Sequence, residues 1–505
     1  MKNIYKNETG VMKYTFMVKL LTPQFSLSSN TKKIFKKMFL KSFYAFTYIF
    51  FSVQIVCAQK YVSKIFENGN TICLLGDSIT HGGQFHEFLQ IYYATRYPNL
   101  KLTFINCGIA GDNAEGMIYR LDKDVLIHEP SHVFLMTGMN DVIRTLYFEG
   151  KASDEIIEKR EIALFEYKKN TDVLAEKFEA SEITPIYLTP SIYDQYSKIE
   201  KENNLGCNDA LIECSDHIKS IAYQYDATVV DLNTPMKNIM EREVQNDSLF
   251  TIVGKDRVHP ETKGHFVIFH EILSTIESPS LVAQISIDLH QKPSVQTKNC
   301  VVEKFQISNE TITFNCLENS LPFPINEALE KAISLVSFQN NFNKEILQIK
   351  GLKEGEYDLF IQEKLINTFS SKELNEGINL SNQFNSPQLQ QAKKIAKLCK
   401  EYRKTGYQLR AVPFIEFKYL RDYIGANNLL GKQKNLEKKL KTIEGKPFYN
   451  YIKKSIDVYF ETLPKQDSLK NRLQLIENSI YEENKPTQLK WRLVKNMKRS
   501  SSQKM

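Results

Sequence analysis

Between residues 61 and 277, five short apolar runs (71–75, 102–106, 132–137, 185–189 and 228–232) alternate with longer segments of helical periodicity. This alternation constrains the fold more than any other feature of the chain. Apolar runs of strand length need cover on both faces, and helices between successive strands impose a parallel order. Helices are expected over 85–96, 113–127, 152–180 and 208–225. A last one should open at His259-Pro260-Glu261, with Pro260 in its first turn. An α/β domain with a parallel sheet flanked by helices is therefore expected over 60–280. The chain is 42% hydrophobic and 25% charged, an ordinary globular balance, and its 505 residues leave room for further domains.

After residue 280 the pattern changes. A hairpin over 301–308 and 311–316 and alternating runs at 345–350, 356–362 and 364–369 predict a small antiparallel β domain over 281–385. Ser386 and Pro387 suit the cap and first residue of a helix, whose face would be Leu389, Ala392, Ile395, Cys399 and Tyr402. Further helices are expected at 432–444, 449–463 and 468–482, giving a helical region over 386–505. Its last residues, with Lys490, Trp491, Arg492, Lys495, Lys498, Arg499 and Lys504, read as a solvated basic tail.

Residues 1–59 read as a leader with a signal peptide. Lys32, Lys33, Lys36, Lys37 and Lys41 precede an apolar stretch over 43–56, and Val56-Cys57-Ala58 offers a cleavage site before Gln59. The alternative is an uncleaved anchor. A secreted, periplasmic or cell-surface protein, with no stable membrane span after cleavage, is expected. The leader holds nine lysines against Glu8, so the formal charge of +7 falls to −1 without it. A near-neutral mature chain gives no reason to invoke nucleic acid. No C-x-x-C pair suggests zinc; Cys207 with Cys214, or Cys300 with Cys316, could form a disulfide in an oxidising compartment.

Four blocks carry chemistry. Gly76-Asp77-Ser78, Asn106 through Asp112, and Gly138-Met139-Asn140-Asp141 follow the first three predicted strands, and Asp256-Arg257-Val258-His259 precedes the last helix. Ligands bind at the carboxyl ends of strands in open α/β sheets. A serine hydroxyl there needs a base to become a nucleophile, and His259 can take and return its proton. Asp256, three residues earlier, can orient the imidazole. The Ser78 N–H, the Gly111 N–H and the Asn140 amide can serve as oxyanion donors, each worth roughly 3 kcal/mol of barrier.

With these blocks the chain resembles the SGNH hydrolases, also called GDSL esterases or lipases, over about residues 65–277. The family's Ser, Gly, Asn and His correspond to Ser78, Gly111, Asn140 and His259, with Asp256 in its usual place. The resemblance implies a flavodoxin-like sheet and ester hydrolysis without metal or cofactor. The stretches 317–324 and 377–380 look like ones found after the catalytic domain in some secreted bacterial members. By that analogy the expected substrate is an acylated small molecule or glycan, with deacetylation of a carbohydrate foremost. The alternatives are a lysophospholipase or lipase for longer acyl chains, and a non-catalytic glycan-binding protein.

Other residues have quieter expected roles. His81 should line the site, and His86 should face solvent or a helix contact. Asp77 and Asp141 should brace their turns. His265 and His270, on the helix after His259, lack carboxylates at metal-ligand spacing.

Overall fold

The computed structural model describes Ser63, residues 65–426 and residues 428–496. The leader, and Lys498, Arg499 and Lys504 of the basic tail, lie outside the described residues.

Strands β1 (Thr71–Gly76), β2 (Thr103–Gly108), β3 (His132–Met136), β4 (Thr184–Leu188) and β5 (Thr228–Val230) form one sheet in the order β2-β1-β3-β4-β5. Every neighbouring pair is parallel. This is the flavodoxin-like order, whose switch point lies at the carboxyl ends of β1 and β3. Side chains alternate across the central strand. Ile72 and Leu74 join the core on one face, and Cys73 and Leu75 the core on the other.

Helices α1 (Ser78–Gly82), α2 (Gln84–Arg96), α3 (Ala114–Asp124), α4 (Asp154–Ala180), α5 (Cys207–Gln224), α6 (Asn233–Glu243) and α7 (Thr262–Thr275) complete the domain. Caps set their starts: the side chains of Asn113 and Ser153 accept from Gly116 N and Ile156 N. Helix α7 begins three residues after His259, so Pro260 stands in the loop, paired with Val253, rather than in the helix. In α2 every residue from Phe85 to Arg96 is buried, because the helix is covered by α7 and by the chain's last third. His86 is therefore buried at a helix contact and does not face solvent.

Beyond α7, strands β6 (Leu281–Asp288), β7 (Ser294–Lys298), β8 (Cys300–Ser308) and β9 (Thr311–Glu318) are followed by α8 (Glu327–Val336). Then come β10 (Lys344–Lys350), β11 (Glu356–Ile361), β12 (Lys364–Ser370) and β13 (Ile378–Asn379). They build two sheets, one of order β13-β10-β6-β7 with a parallel β6–β10 pair, the other of order β12-β11-β14-β9-β8. Strand β14 (Leu489–Lys495) is the middle of the second sheet, so the expected solvated tail is wrong for this stretch. Trp491 is 1% exposed and stacks on Phe314. The sequence Leu-Lys-Trp-Arg-Leu-Val-Lys alternates, and its apolar face outweighs its basic one.

The helical region comprises α9 (Pro387–Leu409), α10 (Leu429–Thr442), α11 (Tyr449–Thr462) and α12 (Gln466–Glu483), with a π-helical turn at Ile415–Tyr419. Ser386 caps α9 and Pro387 opens it, as expected. The seven described cysteines are all free and buried. Cys207 and Cys214 sit two turns apart on α5, about 10 Å along the axis, too far for a disulfide. Cys300 and Cys316 come close enough for their thiols to hydrogen-bond but are not joined.

Candidate active site

The turn after β1 puts Ser78 at the first position of α1. The Asp77 carboxylate caps this short helix by accepting from Ile79 N at 2.9 Å. Burial pushes the Asp77 carboxyl up to about 6, against the pull of that N–H. The end of β2 must pass very close to α1. A Cβ on Gly108 would stand 2.2 Å from the His81 nitrogen, so no larger residue fits.

Ser78 Oγ lies 2.7 Å from His259 Nε2, and His259 Nδ1 lies 2.5 Å from Asp256 Oδ2. Asp256 Oδ1 also accepts from the N–H groups of Val258 and His259, each at 3.0 Å, so one carboxylate closes the turn and orients the ring. The hydrogen bond to Asp256 raises the His259 pKa above the usual imidazole value, with burial opposing. Burial works against the Asp256 carboxylate too, but the bonds from His259 and Val258 hold it well below its ordinary range. Both side chains are about half exposed, so the pair opens to solvent and to substrate.

Arg257, between them, is buried and has a positive φ of 67°. Its guanidinium donates to the carbonyls of Lys201, Asp194, Ser197 and Ile199, tying the Asp256–His259 loop to the loop after β4. No motif announced this brace, because its acceptors are all backbone.

The third block is set the same way. Asp141 accepts from Thr137 Oγ1, Gly138 N and Ala114 N, which joins the loop after β3 to the start of α3. Arg144 donates to Asn140 Oδ1 at 3.0 Å and to Met139 O at 2.7 Å. This fixes which end of the Asn140 amide is which. Asn140 Nδ2 donates to Asp112 O at 2.8 Å, and its other contact, to Asp77 Oδ2, is 3.5 Å. One amide hydrogen is thus committed, and the second makes only this long contact to Asp77. Gly111 has φ +71°, the left-handed region, in the turn that carries it alongside.

Behind this loop lies a buried ionic lattice that the sequence did not foretell. Arg120 bonds Asp112 Oδ2 at 2.8 Å, Asp124 Oδ2 at 2.5 Å and Gly76 O at 3.3 Å. Arg410, just past α9, bonds both oxygens of Asp124 at 2.6 and 2.8 Å and Gly108 O at 3.1 Å. Lys418 Nζ donates to Gly111 O, and Arg421 makes a two-pronged pair with Glu115. The helical region thus packs directly on the Gly108–Gly111 loop.

His81 Nδ1 accepts from Ala110 N at 3.1 Å, and burial with Arg410 nearby lowers its pKa to about 3. It is a neutral brace under the Gly111 loop and packs near Tyr407 and Phe414. Burial likewise lowers His265 to about 3, and His270 bonds Glu271 and Asn341. Among the described residues, no group of three or more His, Cys, Asp or Glu side chains is placed to hold a metal ion.

Residues 72–272 match the family model for GDSL-like lipase/acylhydrolase. This α/β domain belongs to the SGNH/GDSL hydrolase family. The protein is a carboxylic ester hydrolase. A curated relative, an acetylxylan esterase of Geobacillus stearothermophilus, is 22% identical over 225 residues, covering 41% of this chain and 94% of its own. A solved structure described as a gut microbial diltiazem-metabolizing enzyme is 26% identical, with a TM-score of 0.77, covering 87% of this chain and 99% of its own. A likeness of that extent reaches well past the α/β domain into the β and helical regions.

Proposed function

We propose that this esterase removes a small acyl group, foremost acetyl, from a carbohydrate hydroxyl, with Ser78 as nucleophile. The Ser78 hydroxyl, 2.7 Å from His259 Nε2, is the observation that carries the reading. His259 takes the Ser78 proton as Oγ forms a bond to the ester carbon. The Asp256 carboxylate stabilises the imidazolium that results. The oxyanion of the tetrahedral intermediate meets the Ser78 N–H, the Gly111 N–H and the second hydrogen of Asn140 Nδ2. The intermediate collapses as His259 protonates the leaving sugar oxygen. Water, deprotonated by His259, then attacks the acyl-Ser78 ester and frees the acid.

The choice of acetyl on a sugar is supported by the acetylxylan esterase relative. The leader supports action outside the cytoplasm, where polymeric glycans are met. The test compares acetylated xylan with p-nitrophenyl esters of rising chain length. Release of acetate from xylan, with kcat/KM falling beyond short acyl chains, is expected. Preference for acyl chains beyond about eight carbons, the lipase alternative, overturns it; hydrocarbon burial of roughly 0.8 kcal/mol per methylene would then favour long chains.

A further inference from the structure

The arginines around Ser78 differ in what they meet. Arg120 and Arg410 close on Asp112 and Asp124. Arg257 is enclosed by four carbonyls. Among the described residues, Arg144 bonds only two neutral oxygens, both through Nη1: Met139 O at 2.7 Å and Asn140 Oδ1 at 3.0 Å. It is half-buried, where a cation without a counter-charge is disfavoured.

The chain bends sharply to put it there. Ile143 has φ +51°, a left-handed conformation that β-branched residues seldom adopt. Its side chain is 48% exposed and gains little packing in return. Ile143 N donates to Asn140 O, and the single helical turn Arg144–Leu146 follows. The bend returns the Arg144 guanidinium to the amide of the residue four positions earlier. Strain of this kind concentrates at functional sites.

The bond to Asn140 Oδ1 is charge-assisted. By drawing electron density toward the amide oxygen it makes the Nδ2 hydrogens stronger donors. Because Nη1 also holds Met139 O, the amide cannot swing independently of its loop. Asp112 O grips the other end, at 2.8 Å from Nδ2. The Arg144 charge reaches both groups that flank Ser78. Burial raises the Asp77 carboxyl and Asp141 adds to this, while the Ile79 N–H, His259 and Arg144 pull it down. At His259 the Asp256 bond raises the pKa and burial lowers it; Asp77 adds to the raising and Arg144 to the lowering. A cation with no anion of its own suits a site where negative charge arises only during reaction.

We propose that Arg144 is a positioning residue of the oxyanion hole, holding and polarising the Asn140 amide for the negative oxygen of the transition state. This rests on the reading of Asn140 as an oxyanion donor and extends it to a side chain that touches no reacting atom.

A double-mutant cycle on p-nitrophenyl acetate hydrolysis tests the pair. Asn140→Ala should lower kcat by roughly 10²–10³. Arg144→Met should lower kcat about 30-fold with KM within about twofold, because the oxyanion exists in the transition state and not in the bound ester. In the Asn140→Ala background the same substitution should cost less than about threefold, since its target is gone. The acid limb of kcat/KM should move to higher pH in Arg144→Met, as His259 loses a neighbouring positive charge. It should stay in place in Arg144→Lys, which keeps the charge and should turn over at a rate between the native and Arg144→Met values. Should Arg144→Met fail to fold, Arg144→Lys in both backgrounds repeats the cycle, again with the smaller loss expected beside Asn140→Ala. Equal losses in the two backgrounds make Arg144 a support of the fold and overturn the proposal. A rise in KM at native kcat, or no change in either, overturns it as well. If Asn140→Ala is slow and Arg144→Met is not, only this proposal falls; if folded Asn140→Ala turns over at the native rate, the reading of Asn140 falls and takes the proposal with it.

Discussion

The α/β domain and the chain's last third treat charge in opposite ways. In the α/β domain the groups proposed to do chemistry are exposed or half-exposed: Ser78, Gly111 and Asn140 past strand ends, Asp256 and His259 in the loop before α7. The last third turns four of its cations toward that domain. Arg403, Arg410, Lys418 and Arg421 all bond groups of the α/β domain, and three of the four bond a backbone carbonyl at Gly82, Gly108 or Gly111. One region presents reactive groups and the other holds their loops still. Rate should therefore respond to substitutions in the first, and stability to substitutions in the second.

The largest effect that would sharpen this contrast is Asp256→Asn. With His259 no longer oriented by a carboxylate, kcat should fall by roughly 10³–10⁴ while the melting temperature changes little. The pH profile adds a second readout. His259 acts as base only when neutral, so kcat/KM should rise with pH through a midpoint above the ordinary imidazole value of about 6.5, because the Asp256 bond raises it. In Asp256→Asn that midpoint should move down. An unmoved midpoint would detach Asp256 from His259.

The reactive blocks were legible because residue type and position are tied by chemistry. The proposed nucleophile and oxyanion donors stand at strand ends, so apolar runs followed by Gly-Asp-Ser or Gly-x-Asn-Asp mark them, and Asp-x-x-His before a helix marks the proposed base. The braces left no such mark. Arg120, Arg144 and Arg257 look like surface arginines until packing brings them carbonyls and carboxylates. Arg410 and Lys418 reach partners about 300 residues away in sequence. The fold shows the same division. Strands β1–β5 were readable as uninterrupted apolar runs, whereas β14 was masked by its outward lysines and arginine, though Leu489, Trp491 and Leu493 keep strict alternation. Nothing local in residues 85–96 reports that α7 and α9 both cover α2.

Two substitutions in the last third should then act on stability. Trp491→Ala removes the buried ring at the centre of the five-stranded β sheet and should cost about 3–5 kcal/mol in denaturant unfolding. Arg410→Met withdraws one of two guanidiniums from buried Asp124 and should cost about 3 kcal/mol. In both, kcat per folded molecule should stay near native for Trp491→Ala and drop modestly for Arg410→Met, whose target Gly108 O lies next to the Gly111 loop. A thousandfold loss of kcat in a folded Trp491→Ala protein would break the division between the regions.

The smallest effect should come from Lys418→Met. Its ammonium reaches Gly111 O from an exposed position, where such contacts contribute about 1 kcal/mol or less. A fall in kcat below tenfold with unchanged stability is expected from steady-state kinetics. A larger fall would move Lys418 from the supporting region into the reactive one.

In the proposed mechanism Ser78 carries the acyl group. Rapid quenching of the esterase during p-nitrophenyl acetate turnover, followed by peptide mapping by mass spectrometry, measures this directly. An acetyl adduct on the peptide containing Ser78, absent in Ser78→Ala protein that no longer turns over, is the predicted result. Native-like turnover by a folded Ser78→Ala protein, or an adduct on another residue that forms and decays at the turnover rate, would contradict it.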